Sequence, residues 1–152
     1  MKDEKDLSRC FENQVSALCG LHALNVVLCA LGKDKIKRAT LDTCARNLAN
    51  EQAVNSSEFY NSRGWYDYRV ILEYLNRERI NYAIFAVEDL RTQMGTEDVD
   101  LVKDINYGNF FAMIVGTGSH WFAAVKHPDA WYNYDSQSTP KMPRKTAEEQ
   151  KL

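Results

Sequence analysis

Gln14, Cys19, His120 and Asp135 have the side-chain types that acyl transfer through sulfur requires. A thiol supplies the nucleophile, an imidazole the base, a carboxylate the group that orients the imidazole, and an amide a donor for a developing oxyanion. Cys19 lies in an apolar run, Ala17-Leu18-Cys19-Gly20-Leu21-His22-Ala23-Leu24-Asn25-Val26-Val27-Leu28, that reads as a buried helix, and Gln14 stands five residues before it. The helix is expected to start near Ser16, whose hydroxyl can cap the amides of Leu18 or Cys19. Cys19 then falls in the first turn, where unpaired amides and the helix dipole favour a thiolate. A lone cysteine is most often a small buried hydrophobe. Its partners must decide the matter.

His120 and Asp135 are those partners. His120 begins the run Trp121-Phe122-Ala123-Ala124-Val125-Lys126, His127-Pro128-Asp129 turns the chain, and Ala130-Trp131-Tyr132-Asn133-Tyr134 leads back to Asp135. In an antiparallel hairpin, a turn centred on His127-Pro128 places His120 opposite Asp135, and one centred on Pro128-Asp129 shifts the register. Both arrangements leave the two residues at the same end of the sheet, within side-chain reach. An aspartate there holds the ring, fixes its tautomer and stabilises the imidazolium.

These residues need a helix and a sheet to hold them. The first helix should end at Gly32, and its apolar positions Leu18, Leu21, Leu24, Val27, Leu28 and Leu31 nearly encircle it, which predicts a central element. A polar segment with one amphipathic turn, Thr40 to Leu48, follows, and residues 50–63 read as a mobile polar loop. Asp67 to Arg77 carries Tyr68, Ile71, Leu72 and Leu75 at helical spacing. The period then changes: Ile80 to Val87 and Phe110 to Val115 look like strands, with a short helix or turn between Asp98 and Ile105. Helices first and a sheet meander second is an α+β arrangement.

Bulk properties exclude several classes. A chain of 152 residues with 45% apolar and 26% charged residues is expected to be one globular domain. Net charge is -2, with no basic footprint for nucleic acid. No apolar stretch approaches the roughly 20 residues of a membrane span, and the charged start Met1-Lys2-Asp3-Glu4-Lys5-Asp6 lacks a signal-peptide core. The irregular spacing of Cys10, Cys19, Cys29 and Cys44 does not suggest a disulfide framework, so a reducing, cytoplasmic setting is expected.

Gln14-Val15-Ser16-Ala17-Leu18-Cys19-Gly20-Leu21-His22-Ala23-Leu24-Asn25 resembles the nucleophile helix of the Josephin family of cysteine deubiquitinases, the Machado-Joseph disease protein type. His120-Trp121-Phe122 and Trp131-Tyr132-Asn133-Tyr134-Asp135-Ser136 are similar to its second signature, and Gly64-Trp65-Tyr66-Asp67 to a third block. The resemblance runs from about Phe11 to Ser136. It implies a papain-like fold, with a central nucleophile helix packed on an antiparallel sheet. It also implies hydrolysis at the C-terminal glycine of ubiquitin, from lysine or from a hydroxyl ester. By matching position, Cys19 would be nucleophile, His120 base, Asp135 orienter and Gln14 oxyanion donor. Residues 33–63 would form a flexible helical arm of the single domain 1–152, with a polar tail over 137–152. Lys141 to Gln150 is a plausible short helix in that tail. Two other readings stand beside this one: a ubiquitin-binding pseudoenzyme, and a papain-like hydrolase of another ubiquitin-like tail.

The implied partner is ubiquitin or a polyubiquitin conjugate, met by a monomer without nucleic acid, membrane, metal or cofactor. The setting would be its own cytoplasm or, for a secreted effector, a host's. Cys19-x-x-His22 offers half a zinc site, which His127 or Cys44 would have to complete, but the spacing of a second ligand pair is missing. His22 and Asn25 read as packing and buried hydrogen-bonding residues. Trp65 and Trp121 adjoin the site blocks and suggest walls for a narrow channel. Glu97-Asp98-Val99-Asp100 reads as solvated surface.

Overall fold

Cys19–Ala30 forms helix α1, and its sequence leaves it no solvent face: every residue except Cys29 is buried. Such a helix needs a layer on each side. On one side Leu21, Leu24 and Leu28 pack with Leu41, Leu48, Phe59, Val70 and Ile71. On the other, Ala23, Val26, Val27 and Ala30 pack with Leu7, Ala123, Val125 and Tyr134. The structure is a computed structural model that describes residues 7–15, 17–82, 112–116, 120–137 and 142–145.

The first layer is helical. Arg38–Gln52 forms α2, Ser56–Glu58 a 3-10 turn, and Tyr68–Arg77 α3. Asp67 caps α3 by accepting the Arg69 N–H at 2.9 Å. The second layer is an antiparallel sheet of β1 (Ala112–Gly116), β2 (Trp121–Lys126), β3 (Trp131–Tyr134) and β4 (Arg144–Lys145), in the order β1-β2-β3-β4. The side chain of Asn25 fastens the connection after α1, donating to the Ile36 carbonyl at 3.0 Å and accepting from the Ile36 N–H at 2.8 Å. It is thus a buried hydrogen-bonding residue, as its place in an apolar helix suggests.

Several expectations change. Helix α1 begins at Cys19 with Leu18 at the cap position and no side-chain cap bond; Ser16 lies outside the described residues. The single turn expected at Thr40 to Leu48 is part of a helix of 15 residues, because Leu41, Cys44, Ala45, Leu48 and Ala49 form a buried stripe. The stretch 50–63 therefore starts inside α2, contains the 3-10 turn and buries Phe59 completely. Tyr68 is exposed, and the core face of α3 is Val70, Ile71, Tyr74 and Leu75. Of the helix expected over Lys141–Gln150, Arg144 and Lys145 are instead extended and pair with Asn133 and Tyr132, and 141 and 146–150 lie outside the described residues. Of the expected strand Ile80–Val87, Ile80 to Tyr82 are not in a strand, and the remainder, like Asp98–Ile105 and Glu97–Asp100, lies outside the described residues.

The cysteines hold the clearest correction. Cys10 and Cys29 form a disulfide, with Cα atoms 5.5 Å apart, whereas Cys19 and Cys44 remain thiols. The segment before α1 runs back along it and meets its last turn, a reversal that residue spacing does not reveal. The bond closes a 19-residue separation, and a loop of that size limits the unfolded chain by an amount worth about 3 kcal/mol. The expectation of a reducing setting loses its support from cysteine spacing.

Gly64 joins the helical layer to the start of α1. Its φ is +101°, and a Cβ there would stand 2.5 Å from Cδ2 of the buried Leu18. Gly64→Ala should therefore lower the unfolding free energy by roughly 2–4 kcal/mol, from backbone strain and overpacking together. Denaturant midpoints measure this, and a loss below about 1 kcal/mol would mean that the loop shifts without resistance.

Candidate active site

Cys19 is the first residue of α1 and is 7% exposed. First-turn amides have no partner within their own helix, so this end of α1 presents donors beside the thiol. The residues leading into it are held by main-chain bonds. Ala17 N–H donates to the Arg63 carbonyl at 3.1 Å, and Leu18 N–H to the Val15 carbonyl at 3.2 Å.

His120 immediately precedes β2 and Asp135 immediately follows β3. The observed register pairs Lys126 with Trp131 and Ala123 with Tyr134, so the hairpin turns at Pro128-Asp129. His127 N–H closes that turn on the Ala130 carbonyl at 2.8 Å. Continued to the strand ends, this register sets Asp135 diagonal to His120, and the side chains meet: Nε2 of His120 lies 2.6 Å from Oδ1 of Asp135. With Nε2–H committed to the carboxylate, the lone pair of the neutral ring is at Nδ1. The carboxylate is itself steadied by the Gln137 N–H at 2.9 Å.

Trp121 brings this pair to the helix. A Cβ on Gly20 would lie 3.5 Å from Cδ1 of its ring, and one on Gly116 would lie 2.5 Å from Cζ3. A larger residue at 116 would displace the indole. Cys19 and His120 each precede one member of the Gly20–Trp121 contact, so the start of α1 and the start of β2 are juxtaposed. The Trp121 ring thus packs the sheet onto α1.

Gln14 is tied to the other side of the hairpin. Its N–H donates to the Ser136 carbonyl at 3.0 Å, and the Ser136 hydroxyl donates to its Oε1. That bond makes the amide NH2 the donating end of the side chain. Ser136 is buried and was not among the residues singled out from the sequence. Its one signal was adjacency to Asp135 in the Trp131–Ser136 block.

The Josephin family model matches residues 14–150. The chain belongs to the Josephin family. This is the family of Machado-Joseph disease-type deubiquitinases, and the helices and the antiparallel sheet of four strands among the described residues have its α+β, papain-like fold. No curated protein sequence matches the chain significantly. Membership implies an interaction with ubiquitin and suggests cysteine deubiquitinase activity.

Within this Josephin domain the remaining candidates have structural partners. His127 is buried, and its Nε2 lies 2.6 Å from the Tyr134 hydroxyl. Cys44 is buried on the core face of α2, where burial raises its thiol pKa. Among the described residues no group of three or more His, Cys, Asp or Glu side chains is arranged to hold a metal ion. No helix among them is long and apolar enough to cross a membrane.

His22 does more than pack. Its Nε2 accepts the Val15 N–H at 3.0 Å, and its Nδ1 lies 3.5 Å from Oε1 of Glu12, a distance suited to electrostatic attraction more than to a strong hydrogen bond. Glu12 Oε2 also accepts from Lys35 Nζ at 2.7 Å. Burial by itself would raise the Glu12 carboxyl pKa, but His22 and Lys35 outweigh it and hold the group below the ordinary carboxylate value. A depressed folded-state pKa gives stability that is present above the unfolded value and lost as pH falls through the folded one. Wild-type stability should thus fall from neutral pH to about pH 3 more steeply than that of Glu12→Gln. Denaturant midpoints across that range are the check, and parallel curves would count against the ion pair.

Proposed function

We propose that this Josephin domain is a cysteine-dependent deubiquitinase that cleaves the isopeptide bond at the C-terminal glycine of ubiquitin, with hydroxyl esters as a second class of substrate. The carrying observation is the 2.6 Å contact of His120 with Asp135, set at the sheet end that Trp121 packs against Gly20, next to Cys19.

Nδ1 of His120 takes the Cys19 proton, and the thiolate attacks the glycine carbonyl carbon. Negative charge moves to the carbonyl oxygen, where the Cys19 backbone N–H and the Gln14 amide donate hydrogen bonds. The imidazolium, stabilised by Asp135, gives its proton to the lysine amine as the C–N bond breaks, leaving a thioester on Cys19. Water then attacks the thioester, losing a proton to His120, and the thiolate departs to restore the enzyme. Ser136 serves by holding the Gln14 carbonyl end, which fixes the direction of its NH2. The reading puts the enzyme's work where ubiquitin conjugates are, a cytoplasmic setting.

Ubiquitin carrying a C-terminal vinyl or propargyl electrophile should add one ubiquitin mass to the wild-type protein and none to Cys19→Ala, read by intact mass. Absence of the adduct from folded wild type would refute a ubiquitin-directed thiol. Gln14→Ala should lower turnover on the order of 100-fold with folding retained. His120→Ala should abolish turnover, and Asp135→Ala should slow it less than His120→Ala.

A further inference from the structure

We propose that His22 is a positioning residue for Gln14, fixing through the Val15 amide the backbone from which the oxyanion donor projects. The inference rests on the reading of Gln14 as that donor. It gives a role to a buried titratable side chain that the mechanism leaves unused.

Val15 cannot anchor the segment by its own side chain, which is 59% exposed. Its main chain is held instead at both polar groups. Val15 N–H donates to His22 Nε2 at 3.0 Å, and its carbonyl accepts from Leu18 N–H at 3.2 Å. Both partners belong to the nucleophile helix or its cap. Gln14, one residue earlier, is held by Ser136 on the sheet side. The peptide linking Gln14 to Val15 thus spans from the sheet side to α1, and His22 is its side-chain hold on α1.

The same bond defines the chemistry of His22. A ring nitrogen that accepts an N–H is unprotonated, so the neutral ring carries its proton on Nδ1, the atom facing Glu12. Its accepting lone pair is engaged by Val15, so His22 is not a second general base for Cys19, although it stands one turn along the same helix. At 8% exposure in a largely apolar helix, an imidazole without this acceptor duty would serve less well than a leucine. Lys35, Glu12, His22 and the Val15 amide form a polar chain that holds the segment carrying Gln14.

The test compares wild type with His22→Phe, which keeps a ring and removes the acceptor, and His22→Gln, whose side-chain carbonyl can reach the position of Nε2. Hydrogen exchange at the Val15 amide should be slow in wild type and His22→Gln and fast in His22→Phe. In hydrolysis of a fluorogenic ubiquitin amide, kcat should fall about 10- to 100-fold in His22→Phe with little change in KM, as expected for a donor displaced by an ångström or less. His22→Gln should restore most of it. The double variant Gln14→Ala/His22→Phe should be no slower than Gln14→Ala, because both changes remove one donor. Adduct formation with the vinyl electrophile, which builds no tetrahedral oxyanion, should remain near wild type in His22→Phe. Additive losses in the double variant, or a Val15 amide indifferent to His22→Phe, would overturn the proposal. Should His22→Phe not fold, the wild-type tautomer decides by nitrogen NMR: a proton on Nε2 overturns it, and a proton on Nδ1 upholds it. Wild type that neither forms the adduct nor hydrolyses the substrate would sink the deubiquitinase reading instead, and the Val15 exchange would still decide whether His22 holds the segment.

Discussion

Because nearly every side chain of Cys19–Ala30 is apolar and buried, this helix is stable only with a layer on each side, and the other elements arrange themselves around that need. Leu21, Leu24 and Leu28 draw in α2 and α3; Ala23, Val26 and Ala30 draw in the sheet. The small residues on the second face let the strands approach closely. Gly20 continues that logic to the first turn, where the indole of Trp121 rests. The thiol at one end of this helix is therefore near a strand end for reasons of packing alone. The proposed site thus lies where the helix and the sheet must touch.

Polar bonds then set what packing leaves loose. The helix start is tied to the helical layer through Ala17 and Arg63, and the segment before it is tied to the sheet through Gln14 and Ser136. The disulfide from Cys10 to Cys29 and the Lys35–Glu12 pair hold the far end of the same segment. Each tie is short in reach and lies on a different element. A segment so pinned has few ways to move independently of the helix it lies along.

The sequence made part of this legible. A hairpin has few registers, so the meeting of His120 and Asp135 at one sheet end follows from the position of His127-Pro128-Asp129. The burial of α1 follows from apolar residues on all its faces. The extent of α2 was harder to see, since its polar last turn stops at Ala53, a non-glycine in the left-handed region at φ 54°. The pairing of Arg144 and Lys145 with β3 was hidden because two residues carry no alternation to read. Cys10–Cys29, Ser136 and His22 were missed for a common reason. Each acts between segments whose approach depends on the chain's reversal before α1, and no periodicity reports such a reversal.

That reversal also explains why the oxyanion donor is the most demanding part of the proposed site. His120 and Asp135 flank the two strands of one hairpin, and their own 2.6 Å contact joins them at its end. Cys19 sits on a rigid helix. Gln14 has no strand or helix directly beside it in the chain, so no ladder or helical turn fixes its direction. An oxyanion donor contributes only when it lies within hydrogen-bond distance of an atom that becomes charged for an instant. The bonds concentrated on Glu12, Gln14 and Val15 supply from side chains and turns the rigidity that α1 gives Cys19 and that the adjoining strands give His120 and Asp135.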